Sequence, residues 1–183
     1  LYPVPHLFTD DAGNSLGYKD RVTFPLQVIA KQPDKPIMLR LKLDYAVCEK
    51  LCIPAEGAAD LALMRGRSAL ENVLITAEKR VPKQIPAEQA GLSVHRVNQA
   101  AKPLVMVDLK ANAGTPVELF VEGPTAEWAL PIPKPTAGAP AGHRQFGFEL
   151  DGLPPGVDPK GHFELTFTIV EGEQAYEVKT RLD

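Results

Sequence analysis

The sequence predicts an all-β protein made of two β-sandwich-like halves joined by a short helix and a linker. Three observations carry this. Eighteen prolines and fourteen glycines punctuate the 183 residues along their whole length. The apolar segments between them are short, as strands joined by turns would be. Several of those segments alternate apolar and polar residues with period 2.

Taken in order, Val22 to Ala30 and Met38 to Val47 read as two strands separated by Gln32-Pro33-Asp34-Lys35-Pro36. In the second, Leu39, Leu41 and Leu43 alternate with Arg40, Lys42 and Asp44, which places the leucines on a buried face. Ala59 to Met64 reads as a third strand. Ser68-Ala69-Leu70-Glu71 has the spacing of a capping box, and Leu70, Val73, Leu74 and Ala77 follow as a helical apolar stripe. Lys79 and Arg80 suit the helix C-terminus, and Pro82 stops it. Pro82 to Gly91 reads as a polar linker.

From there the pattern is β again: Leu104 to Ala111, Val117 to Glu122, Gln145 to Leu150, Phe163 to Val170 and Tyr176 to Leu182. The last two flank Glu171-Gly172-Glu173-Gln174, a hairpin signal. Pro131 to Gly142 reads as an extended loop and Trp128 as a core aromatic. The expected organisation is residues 1–66 as one sandwich, 67–92 as helix and linker, and 93–183 as a second sandwich.

Composition narrows the function. A hydrophobic fraction of 44% and a charged fraction of 23% are those of a globular protein with a core of its own. The net charge of −3 argues against non-specific nucleic-acid binding, which needs a basic face. No stretch approaches the ~20 apolar residues that span a bilayer. Leu1-Tyr2-Pro3-Val4-Pro5 reads as mature sequence rather than a signal peptide, so the chain is expected to be a processed protein or a piece of a longer one.

Chemical content concentrates at the two cysteines, Cys48 and Cys52. If the strand runs on to Val47, Tyr45 and Val47 share the parity of the leucines and Cys48 falls on the opposite, accessible face. Three intervening residues allow a sharp turn that brings the two Cα atoms within disulfide range. Lys50 favours a thiolate while Asp44 and Glu49 oppose it. Four readings stand: a reversible dithiol, a structural disulfide, two inert thiols, and a copper site using both thiolates with a distant histidine such as His6. Zinc needs two further ligands, and His6, His95, His143 and His162 lack ligand-pair spacing. The dithiol ranks first, and it calls for no cofactor or metal. A passive interaction module, with incidental cysteines, is the remaining alternative.

Tyr45-x-x-Cys48 followed by Cys52-x-Pro54-x-Glu56, after an alternating strand, resembles the amino-terminal periplasmic domain of the DsbD thiol–disulfide interchange proteins. The segment Leu43 to Pro54, with Pro3-Val4-Pro5-His6-Leu7-Phe8 and Gly17-Tyr18-Lys19-Asp20, is most similar to the ScsB (suppressor of copper sensitivity) branch. The similarity is specific over residues 1–66. It implies immunoglobulin-like halves and a protein-disulfide reductase role in the periplasm, tethered to the inner membrane in the full-length protein. Electrons would pass from a membrane-embedded reductase domain of that protein to Cys48 and Cys52, and on to a thioredoxin-like oxidoreductase or isomerase. The resemblance also implies that Tyr45, Pro54 and Glu56 support the pair and that Cys52 forms the mixed disulfide. The cysteine spacer is shorter than in DsbD itself. A Trp-rich β segment usual in ScsB-like chains has no counterpart before Pro3, so the first sandwich is expected to lack strands.

Overall fold

A computed structural model describes residues 1–10, 13–32, 35–49, 51–63, 69–97, 102–112 and 114–183. In chain order the elements are β1 (His6–Asp10), β2 (Gly13–Gly17), β3 (Ile37–Cys48), β4 (Cys52–Leu63), α1 (Glu71–Glu78), β5 (Lys83–Gln84), α2 (Ala87–Ala90) and β6 (Leu92–Val97). They continue with β7 (Leu104–Lys110), β8 (Val117–Glu122), β9 (Lys134–Thr136), β10 (His143–Glu149), β11 (Phe163–Glu171) and β12 (Gln174–Leu182). The all-β expectation holds. Contacts group the chain into one unit of Leu1–Pro25 with Ile75–Asp183, and another of Leu26–Leu74.

In the first unit, two four-stranded sheets, ordered β6-β7-β10-β9 and β5-β12-β11-β8, share one core. Alternation explains it. Val105, Val107, Leu109, Phe146 and Phe148 point inward from one sheet, and Leu119, Leu165, Phe167, Ile169 and Val178 from the other. Phe148 meets Phe167 edge-on at 6.4 Å between centroids. The β11–β12 hairpin closes through Gly172 and Glu173, with Gly172 at φ 60° as its tight turn requires. Gly91, at φ 60°, ends α2 by donating its N–H to carbonyls of that helix; a Cβ there would meet Lys110 Cβ at 2.8 Å. Trp128 is half-buried and packs edge-on against Phe163 at 5.0 Å.

The amino-terminal stretch of this unit forms the β1–β2 hairpin and an aromatic cluster. Phe24 stands edge-on to Tyr2 (5.7 Å) and Tyr18 (5.2 Å), and the Tyr18 hydroxyl donates to Pro3 O at 2.8 Å. Burial, then Tyr2 and Glu122, raise the Tyr18 pKa. Val4 N donates to Arg80 O at 3.1 Å.

Several expectations are corrected. Val22 to Ala30 forms no strand: Pro25 removes a backbone donor in its middle, and Leu26 and Ile29 lie exposed. The strand expected from Ala59 begins at Cys52. The helix is present, but of its stripe only Ala77 is buried, while Leu70, Val73 and Leu74 are exposed. Ser68 of the capping box and Met64 fall outside the described residues. The linker from Pro82 to Gly91 holds β5 and α2, and the loop from Pro131 to Gly142 holds β9, whose pairing to Gln145–Gly147 supplies the order. Residues 1–63 give two separate two-stranded sheets, β1-β2 and β3-β4.

Candidate functional site

The second unit carries both cysteines. β3 and β4 pair antiparallel through twelve consecutive rungs, from Ile37↔Leu63 to Cys48↔Cys52, without a bulge. Directly opposed residues share a face. One face therefore carries Leu39, Leu41, Leu43, Tyr45 and Val47 against Leu61, Ala59, Gly57, Ala55 and Ile53. The other carries Arg40, Lys42, Asp44, Ala46 and Cys48 against Asp60, Ala58, Glu56, Pro54 and Cys52. Both cysteines lie on the charged, exposed face, as strand parity predicts.

The expected burial of the leucine face does not occur. Leu41, Leu43, Tyr45 and Val47 are 40–61% exposed, because a two-stranded sheet supplies no second layer over them.

At the last rung, Cys48 and Cys52 form a disulfide, with the Cα atoms 4.0 Å apart. Just beyond this rung, Glu49 N donates to Leu51 O at 3.4 Å. Lys50 lies outside the described residues, so its expected influence on a thiolate has no geometry here. Both sulfur-bearing residues are solvent-exposed; Leu51 (74%), next to Cys52, is exposed as well, as are Val47 (61%) and Ile53 (62%) on the opposite face of the hairpin. Sequence reasoning gave none of the three a role at the site, and it expected Val47 on a buried face.

The supporting residues separate. Pro54 sits one same-face rung below Cys52, opposite Ala46, so small or rigid side chains flank the disulfide. Glu56 lies two same-face rungs below, about 14 Å along the strand. It takes part in an exposed group in which Lys42 Nζ approaches Glu56 Oε1 at 3.7 Å and Asp44 Oδ1 at 3.3 Å. At that distance Glu56 touches neither sulfur, and such exposed pairs contribute little. Tyr45 is on the opposite face from the cysteines, with Cε1 3.9 Å from where a Gly57 Cβ would stand.

Among the described residues no group of three or more His, Cys, Asp or Glu side chains is placed to hold a metal ion. The oxidised cysteines offer no thiolate to copper. His143 Nδ1 is paired to Asp108 Oδ1 at 2.5 Å and His162 Nδ1 to Asp183 Oδ1 at 3.2 Å. His6 and His95 are exposed strand residues.

An accessible two-sulfur pair at the tip of a β-hairpin, on an otherwise cysteine-free chain, defines a thiol–disulfide exchange domain. The comparisons agree with that class. Residues 1–63 match the family described as thiol:disulfide interchange protein DsbD, N-terminal. The chain is similar in structure to the N-terminal periplasmic domain of ScsB from Proteus mirabilis, with a TM-score of 0.68 and 18% identity, over 98% of this chain and 70% of that one. No curated protein sequence matches the chain. The DsbD/ScsB resemblance seen in the residues is thus upheld, over its first third by family and over its length by fold.

Proposed function

We propose that the protein is a periplasmic protein-disulfide reductase domain that relays electrons through Cys48 and Cys52. The donor in this reading is a membrane-embedded reductase domain of the same full-length protein, which tethers it to the inner membrane. The acceptor is a thioredoxin-like oxidoreductase or isomerase. The observation that carries the reading is the exposed cross-strand disulfide at the hairpin tip, whose two residues stand open to a protein partner. The periplasmic setting in this reading is supported by the description of the similar ScsB domain as periplasmic. No helix among the described residues is long and apolar enough to cross a membrane, so this reading leaves the tether to other parts of the full-length protein.

In this reading the unit Leu26–Leu74 carries the redox pair, and the β-sandwich lies in the unit of Leu1–Pro25 with Ile75–Asp183, which takes in β5, α2 and Leu92 from the stretch expected to be a linker. Of the supporting residues, Pro54 stands beside Cys52, whereas Tyr45, on the opposite face, and Glu56, two same-face rungs away, are set apart from the sulfurs. The test mixes the reduced protein with an oxidised thioredoxin-like protein and counts thiols on each. Transfer of two thiols' worth of electrons per chain is expected. No transfer, with both cysteines unreactive towards the partner, would overturn the proposal.

A further inference from the structure

The hydrogen-bond phase of the β3–β4 hairpin differs in consequence for its two edges. In an antiparallel pair, rungs alternate between those whose N–H and C=O groups bond across and those whose groups point outward. The Cys48↔Cys52 rung is of the outward kind on two counts. Its Cα separation of 4.0 Å is that of a closely spaced, non-hydrogen-bonded pair. The Glu49 N to Leu51 O bond beyond it is the bond that flanks such a rung.

The phase then fixes the rest. Ala46↔Pro54 and Asp44↔Glu56 are also outward rungs. On β3, Cys48, Ala46, Asp44 and Lys42 each present an N–H and a C=O to the outer edge. On β4 the same run is broken at Pro54, which has no N–H. Within the hairpin this proline costs no ladder bond; its effect falls wholly on the outer edge, where a proline blunts strand pairing. The β3 edge is an uninterrupted template for another strand, and the β4 edge beside Cys52 is not.

Exchange at sulfur is an in-line displacement, so the attacked sulfur is set by the side of approach. The S–S bond runs across the hairpin from β3 to β4. A thiolate arriving over the β4 edge meets Cys52 Sγ, with Cys48 Sγ as leaving group; one arriving over β3 meets Cys48. A relay site must release its partner after each turnover, which a continuous strand-pairing edge opposes. We infer that Pro54 is a positioning residue: it keeps the β4 edge free of strand pairing, so that the redox partner approaches over β4 and exchanges at Cys52. This rests on the exchange function proposed above.

In the reducing direction the Cys52 thiolate attacks one sulfur of the partner's disulfide, and the other partner sulfur leaves with the electron pair as a thiolate. Cys48, as thiolate, then attacks Cys52 Sγ. The Cys48–Cys52 bond forms, the mixed disulfide breaks, and the partner departs as a dithiol after taking two protons from solvent. Two electrons pass to the partner, and the two thiol protons of the domain go to solvent.

The experiment uses the oxidised chain and two probes: an extended pentapeptide with one central cysteine thiol, and a cysteine-free strand-forming pentapeptide as competitor. Mixed disulfides are trapped by acid quenching and mapped by mass spectrometry. The wild type is expected to carry the adduct on Cys52 at least tenfold over Cys48, with no inhibition by the competitor. Ala46→Pro, which blunts the β3 edge instead, should leave the rate and the Cys52 preference within twofold. Pro54→Ala should become sensitive to the competitor by threefold or more, and insensitive again when the competitor's amides are N-methylated, while its reduction by dithiothreitol stays unchanged. Adducts on Cys48, competitor inhibition of the wild type, or an Ala46→Pro variant slowed tenfold would each overturn the inference. The wild-type and Ala46→Pro measurements decide it even if Pro54→Ala fails to fold. Failure of exchange with any thiol, dithiothreitol included, would instead count against the function itself.

Discussion

In the sandwich, Val105, Val107 and Leu109 alternate with polar neighbours and are closed to solvent. In the hairpin, Leu39, Leu41 and Leu43 alternate with Arg40, Lys42 and Asp44, and two of the three are exposed outright. The pattern is the same and the number of layers differs. Eight strands in two sheets cover each other's inner faces; two strands cover nothing. Amphipathic alternation therefore encodes which residues share a face, and a second layer decides whether that face is dry. Chemistry sits where the second layer is missing: the sandwich is closed around its core, and the exchangeable disulfide stands at the tip of the open hairpin.

The comparison breaks or sharpens under five perturbations. Cys52→Ala should reduce exchange with a thioredoxin-like protein to background while thermal unfolding of the sandwich, followed by Trp128 fluorescence, stays in place. Phe167→Ala should have the converse effect. Its fully buried ring faces Phe148, and its loss should cost about 3–5 kcal/mol in denaturant unfolding without changing the rate at which dithiothreitol reduces Cys48–Cys52.

Reducing the disulfide should come next. Its small loop constrains the unfolded hairpin by roughly 2 kcal/mol on chain-entropy grounds, so the cross-bonded amides of Val47 and Tyr45 should exchange with deuterium faster, and those of Val107 and Phe167 should not change. Leu41→Ala should cost less than ~1 kcal/mol, since its side chain is already 44% exposed. Equal costs for Leu41→Ala and Phe167→Ala would show that a layer covers the hairpin face in solution.

The smallest effect is at the sandwich surface. A hydrogen bond from Lys102, then one from Gly152 N, hold the Asp151 carboxyl below its ordinary pKa of 3.8, and the same contact raises Lys102 above 10.5. The stabilisation from Asp151 is present above 3.8 and disappears as pH falls through its lowered value. That from Lys102 is present below 10.5 and disappears as pH rises through its raised value. Lys102→Met should flatten both ends of the stability–pH curve slightly, as followed by Trp128 fluorescence, and leave the hairpin's exchange kinetics unchanged.

Much of this was legible in the residues, for local reasons. Phe163 to Leu182 declared a hairpin because alternation and Gly172 are both short-range signals. The disulfide was legible because three intervening residues confine its geometry, and parity put Cys48 opposite Tyr45 correctly. What escaped depends on partners distant in sequence. Lys134–Thr136 is a strand only because β10 lies beside it, and Val22 to Ala30 has the composition of a strand but no strand pairs with it among the described residues. Burial of Leu41 or Leu74 cannot be read from periodicity alone, since periodicity names a face and not what lies over it. The role inferred for Pro54 needed the hydrogen-bond phase, and that phase is a property of two strands together.

The twelve rungs of β3 and β4 run from base to tip in unbroken register. Such a hairpin can change length only in even steps. One residue gained or lost in either strand below the cysteines would carry a sulfur round to the leucine side and separate the pair. A matched pair of residues in each strand would keep both sulfurs facing outward and move them about 7 Å further from the base. Insertions in chains of this kind should therefore come in twos, and reach is the property they would tune.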